Sequence, residues 1–90
     1  MEPRQITLYR RPGCELCDRS EEIVRALIAE GGSRLTLDLV NIEEDPAVHA
    51  RFLEQIPALD VAGNLLPIAV SPMQIAAHLR RAVEQVDGER

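Results

Sequence analysis

Near its start the chain alternates polar and apolar positions, Gln5-Ile6-Thr7-Leu8-Tyr9, in residue types that favour extended backbone. A period of two predicts a first strand over 5–9. Arg10-Arg11-Pro12-Gly13 breaks it, and from about Cys14 the apolar positions change to helical spacing, with Leu16, Ile23, Val24, Leu27 and Ile28 on one face. Glu15, Asp18, Glu21 and Glu22 fill the first turns, where carboxylates complement the positive end of the helix dipole. Gly31-Gly32 is the expected stop.

Leu35 to Ile42 alternates again and predicts a second strand. Asp45-Pro46 pairs an N-cap residue with proline at the first helical position, which predicts a short helix to about Leu53 that buries Val48 and Phe52. Ala58 to Val61 is the third predicted strand, Ala62-Gly63-Asn64 a hairpin turn, and Leu65 to Val70 a fourth strand. Pro67 inside that last run suits a sheet edge, because proline has no N–H for a neighbouring strand. Ser71-Pro72 repeats the cap-plus-proline start, and the final helix runs to about Val86 with Ile75, Leu79, Val83 and Val86 on one side.

The order is βαβαββα. Its first half implies a right-handed parallel crossover and its last two strands an antiparallel hairpin. The predicted fold is α/β: a four-stranded mixed sheet flanked by three helices, with helices on both faces.

Composition narrows the picture. Ninety residues make one domain spanning 1–90, with no material for a second core. The chain has no Trp, one Tyr and one Phe, so its core must be built from Leu, Ile, Val and Ala. The net charge is −5, and the ten basic residues, all Arg, are scattered. Without a basic stripe, neither a nucleic acid nor an anionic membrane surface is an expected partner. Residues 1–5 carry no apolar leader segment, and no apolar run is long enough to cross a bilayer. The expected location is therefore the cytoplasm, where paired cysteines are more often catalytic or metal-binding than structural.

The pair in question is Cys14-Glu15-Leu16-Cys17. A two-residue gap on one helical turn brings the sulfurs within reach of each other. Cys14 falls at a predicted helix N-terminus, where free N–H groups and the dipole favour a thiolate, the form that attacks a disulfide. Cys17 lies one turn deeper and can resolve a mixed disulfide by attacking Cys14. Arg10 and Arg11 should lower the Cys14 pKa, and Glu15 and Asp18 should raise it. The expectation is the upper part of the ~3.5–7.5 range open to thiols at helix starts. The plainer alternative is two small residues filling a helix start. A zinc site is the other rival, but structural zinc takes four protein ligands, and His49 and His78 lack the spacing to complete a set. Neither a metal nor a tightly bound cofactor is expected. Position after a strand and at the opening of a βαβ unit favours redox use.

Three other residues carry groups that could take part in proton transfer. His49 reads as a surface residue of the short helix, and His78 as a partly buried packing residue beside the last apolar stripe. Asp60 interrupts a strand expected to be mostly buried. It either points to an exposed edge or face, or serves as an acid near the cysteines.

The stretches LYRRPGCELC (8–17), VNIEEDP (40–46), QIPAL (55–59) and AGN (62–64) resemble the glutaredoxin family, in particular its small bacterial glutaredoxin-like branch within the thioredoxin superfamily. The resemblance covers roughly residues 5 to 86. It implies that Pro57 is cis and faces the active cysteine, leaving the Ile56 backbone to pair with an extended thiol substrate. It also implies that Arg11, three positions before the nucleophile, meets a glutathione carboxylate. The chain departs from the family pattern in two places. Glu15-Leu16 stands where an aromatic residue is usual, and Pro67 to Pro72 stands where a Gly-Gly and an acid usually hold the γ-glutamyl end of glutathione. Ser71 at the last helix start is expected to act as a cap.

These readings converge on a monomeric thiol–disulfide oxidoreductase that reduces protein disulfides or glutathione mixed disulfides, with glutathione a candidate co-substrate. The alternatives are a redox-sensitive protein-binding module with little turnover, and a metal or cluster site formed by Cys14 and Cys17 of two chains.

Overall fold

The computed structural model of the chain describes residues 4–31 and 35–88. Its elements are β1 (Arg4–Arg10), α1 (Glu15–Gly31), β2 (Leu35–Asn41), a 3-10 turn (Ile42–Glu44), α2 (Pro46–Phe52), β3 (Ala58–Val61), β4 (Asn64–Leu66) and α3 (Pro72–Gly88). The strands form one four-stranded sheet in the order β2-β1-β3-β4. β1 pairs parallel with β2 and antiparallel with β3, and β3 pairs antiparallel with β4. This is the mixed sheet expected from the alternation of elements.

Strand alternation divides the core in two. Ile6, Leu8, Leu59 and Val61 project to one face, where they pack with Val24 of α1 and with Ile75 and Leu79 of α3. Tyr9 and Ala58 project to the other, where Ile42 and Phe52 complete a smaller cluster beneath α2. The two aromatic residues of the chain stack there, with ring centroids 4.1 Å apart.

Local chemistry sets several boundaries. Asp45 caps α2 by accepting the Ala47 N–H at 2.8 Å, and Asn41 caps the 3-10 turn by accepting the Glu43 N–H at 2.9 Å. That second cap ends β2 one residue before Ile42, which turns inward and is fully buried rather than extending the strand. Ser71 Oγ accepts the Gln74 N–H at 3.3 Å and caps α3, as its sequence position suggested.

The expected fourth strand over 65–70 is corrected. β4 spans Asn64–Leu66, because Pro67 cannot donate to a ladder and Ile68 takes φ +49. Beyond it the Ile68 N–H donates to the Gln55 carbonyl (2.9 Å) and the Ala69 N–H to the Pro57 carbonyl (2.6 Å). The turn is tighter than expected as well. Only Ala62 and Gly63 form it, both at positive φ (54° and 84°), and Asn64 already pairs with Val61. Asp60 closes this hairpin by accepting the Gly63 N–H on Oδ1 at 3.0 Å. Val83 and Val86 lie outside the residues whose side chains are described.

Candidate active site at one end of the sheet

Tyr9 of β1 pairs with Ala58 of β3. The segments that follow, 11–14 after β1 and 57–56 before β3, therefore leave the sheet at the same end. The 67–71 connection joins them there through its bonds to Gln55 and Pro57. Cysteine pair, proline loop and entry to α3 are thus brought together by topology.

β1 passes to α1 through Pro12 and Gly13. Gly13 takes φ +76, a conformation L side chains rarely adopt. This turn places Cys14 immediately before the helix, which begins at Glu15, one residue later than expected. Its carbonyl accepts the Asp18 N–H (3.1 Å), and its Sγ accepts the Cys17 N–H (3.1 Å), so the sulfur stands where a serine or aspartate oxygen would cap a helix. Cys14 and Cys17 are joined in a disulfide with Cα atoms 5.2 Å apart. Cys14 is partly exposed, while Cys17 is fully buried. One sulfur can meet a partner and the other cannot.

The buried stripe of α1 differs from the expected one at its start. Leu16 is 56% exposed, and the core-facing positions are Cys17, Ser20 and Val24. Positions 17, 20 and 24 share one face by their i,i+3 and i,i+4 spacing, and Leu16, in the first turn of α1, lies to the side of it.

Arg10 and Arg11 behave differently. Arg10, its side chain only 17% exposed, forks between Asp18 (2.5 Å) and Glu21 (2.9 Å), and Glu21 also accepts from Arg25 (2.9 Å). This bridge ties the end of β1 to the first turns of α1. Sequence reasoning missed it, although Asp18 and Glu21 are three apart on one helix face after an arginine-ended strand. Arg11 is exposed and makes no ion pair among the described residues.

The Ile56–Pro57 bond is cis. The carbonyls of Gln55 and Pro57, on either side of Ile56, accept the N–H groups of Ile68 and Ala69, whereas the Ile56 backbone groups take no part in this pairing. Among the described residues they have no hydrogen-bond partner.

A family model for a glutaredoxin-like domain (DUF836) matches residues 5–87. The chain belongs to this glutaredoxin-like family. A structural genomics target protein from X. campestris is similar at 29% identity, with 86% of this chain and 97% of that one covered and a TM-score of 0.70. Thioredoxin-2 of a malaria parasite (17% identity, TM-score 0.62, 86% and 81% covered) and the germline thioredoxin Deadhead of Drosophila melanogaster (10%, 0.64, 89% and 81%) share the fold. No functionally curated protein matches the chain. The glutaredoxin-like domain thus accounts for the fold and for the CxxC-spaced pair after β1.

The remaining candidates fall elsewhere. Asp60 serves the β3–β4 hairpin, and His78 Nε2 lies 2.8 Å from the Asn64 carbonyl, tying α3 to the same hairpin. His49 is half-buried on α2. Among the described residues no group of three or more His, Cys, Asp or Glu side chains converges to hold a metal, and no helix is long and apolar enough to cross a membrane.

Proposed function

We propose that this glutaredoxin-like chain is a thiol–disulfide oxidoreductase working by dithiol exchange, with Cys14 as nucleophile and Cys17 as resolver. The observation that carries this reading is the unequal pair. A partly exposed sulfur caps a helix N-terminus and is bonded to a fully buried one a turn later. In the reduced protein the Cys14 thiolate attacks a substrate disulfide R–S–S–R′, forming Cys14–S–S–R and releasing R′–S⁻. The Cys17 thiolate then attacks Cys14 Sγ, releasing R–S⁻ and closing the intramolecular disulfide. Two electrons pass to the substrate, and an external thiol reductant reopens the pair.

Ile56 and Pro57 form the wall of the substrate site. The free Ile56 N–H and carbonyl pair with extended backbone, in the manner of an added strand. Leu16 and Ile68 are exposed at this end of the sheet and suit apolar side chains of a polypeptide. Protein disulfides are therefore the favoured substrates. Glutathione mixed disulfides are the second class, with exposed Arg11 as carboxylate partner and glutathione as co-substrate. The reaction requires neither metal nor tightly bound cofactor, and it runs in a reducing compartment such as the cytoplasm, with the chain acting as a monomer.

The test is a Cys17→Ser variant under mild oxidation with a disulfide-bonded protein and, separately, with oxidised glutathione. Accumulation of an adduct at Cys14 is expected. An untrapped Cys14 with both would overturn dithiol exchange, and the ratio of the two adducts ranks the substrates.

A further inference from the structure

Ser20 is fully buried, and its Oγ has no hydrogen-bond partner among the described residues. Leaving a buried hydroxyl unpaired is costly, so such a group calls for an explanation. Ser20 lies three residues after Cys17, also fully buried, on the same inward face of α1. Side chains at this spacing are neighbours.

We propose that Ser20 is a positioning residue for the resolving step, donating its Oγ–H to the Cys17 sulfur as that thiol ionises. The inference rests on the dithiol-exchange reading. The helix start serves Cys14, whose sulfur takes the Cys17 N–H. Among the described residues no hydrogen-bond donor meets the Cys17 sulfur, and its full burial disfavours a thiolate. In the reduced protein, once the Cys14–Cys17 bond is open, the unpartnered hydroxyl on the same face of α1 supplies that hydrogen bond to the anion. In the step itself, Cys17 gives up its proton, its sulfur bonds to Cys14 Sγ, and the Cys14–S–R bond breaks. The departing R–S⁻ takes up a proton through solvent, and Ser20 keeps its own.

The experiment follows single turnover of the reduced protein with one equivalent of 5,5′-dithiobis(2-nitrobenzoate). The first thionitrobenzoate released reports attack by Cys14, and the second reports resolution by Cys17. In Ser20→Ala the first phase keeps its rate. The second slows about ten-fold or more at neutral pH, and the midpoint of its pH profile moves upward. Ser20→Thr, which keeps the hydroxyl, moves both back toward the parent values. A second phase in Ser20→Ala with the parent rate and midpoint overturns the proposal. Slowing with an unmoved midpoint overturns it too, since that marks a change of packing alone. Absence of a second phase in the parent protein would instead remove the dithiol-exchange reading on which the proposal rests.

Discussion

The backbone N–H of Cys17 donates to the Sγ of Cys14 at 3.1 Å, so the more exposed sulfur of the pair is itself the cap of the helix that carries the other. If that geometry persists on reduction, the same N–H meets the freed Cys14 sulfur. A hydrogen bond that is stronger to an anion than to a neutral thiol favours the thiolate.

Alkylation of Cys14 in a Cys17→Ser variant should therefore show a pH midpoint below the ordinary thiol value of about 8.5. The exposed carboxylate of Glu15 next to it acts in the opposite direction and limits that lowering. Arg10→Ala should raise the midpoint, because Asp18 and Glu21 then lose their cation and negative charge near a thiolate disfavours ionisation. Iodoacetamide rates against pH measure both. A midpoint at about 8.5 before any arginine change would contradict the helix-start argument.

Ser71 separates capping from substrate binding. Its hydroxyl accepts the Gln74 N–H, and losing such a cap costs about 0.5–2 kcal/mol. Ser71→Ala should lower the urea midpoint accordingly and leave the rate of protein-disulfide reduction unchanged. A loss of rate with glutathione mixed disulfides alone would make Ser71 part of a glutathione site.

Much of this architecture was legible in the residues because local signals and pattern agreed. Asp45-Pro46 and Ser71-Pro72 mark their helices, and the cap bonds are where those pairs put them. β3 over Ala58–Val61 coincides with its predicted span. The misses arose where tertiary pairing decides. The apolar run 65–70 looks extended, yet Pro67 ends the ladder and the following N–H groups turn to the proline loop. Leu16 matched a helical stripe on spacing alone, but the core takes Cys17 and Ser20 in the first turns, and Ser20 is polar, so hydrophobicity did not mark that face. In the site, the CxxC spacing was visible at once. The Arg10 bridge and the orphan hydroxyl of Ser20 depend on which side chains a fold brings together, and no single-residue signal announces them.

The β3–β4 hairpin offers a stabilising change. Ala62 and Gly63 both sit at positive φ in a two-residue loop, the pattern of a type I′ turn. An alanine there is strained, and asparagine tolerates that region far better. Ala62→Asn should raise stability by about 0.5–1 kcal/mol and increase the melting temperature by a few degrees. Because the hairpin turn lies at the opposite end of β3 from Pro57, the alkylation profile of Cys14 should not change. A drop in melting temperature would show that the turn is held by other forces.

The smaller core cluster gives the sharpest test of how the site is held in place. Phe52 is 2% exposed, stacks on Tyr9 at 4.1 Å and carries Arg51 over its ring at 4.7 Å. Tyr9 is the β1 residue paired with Ala58 at the end of the sheet where the cysteines lie, so the stack anchors that end to α2. Phe52→Ala removes the ring from a cluster otherwise built on Ile42 and Ala58 and should cost about 3–5 kcal/mol. Arg51→Ala removes an exposed cation–π contact and should cost no more than about 1 kcal/mol. The chain has one tyrosine and no tryptophan, so its emission reports on Tyr9 directly. In urea, tyrosine emission and far-ultraviolet circular dichroism should change together in the parent protein. In Phe52→Ala the emission should change at lower denaturant than the circular dichroism if the end of β1 loosens before the sheet unfolds. A loss below about 1 kcal/mol in Phe52→Ala would mean that the larger cluster between the sheet, α1 and α3 holds the cysteine end without help from α2.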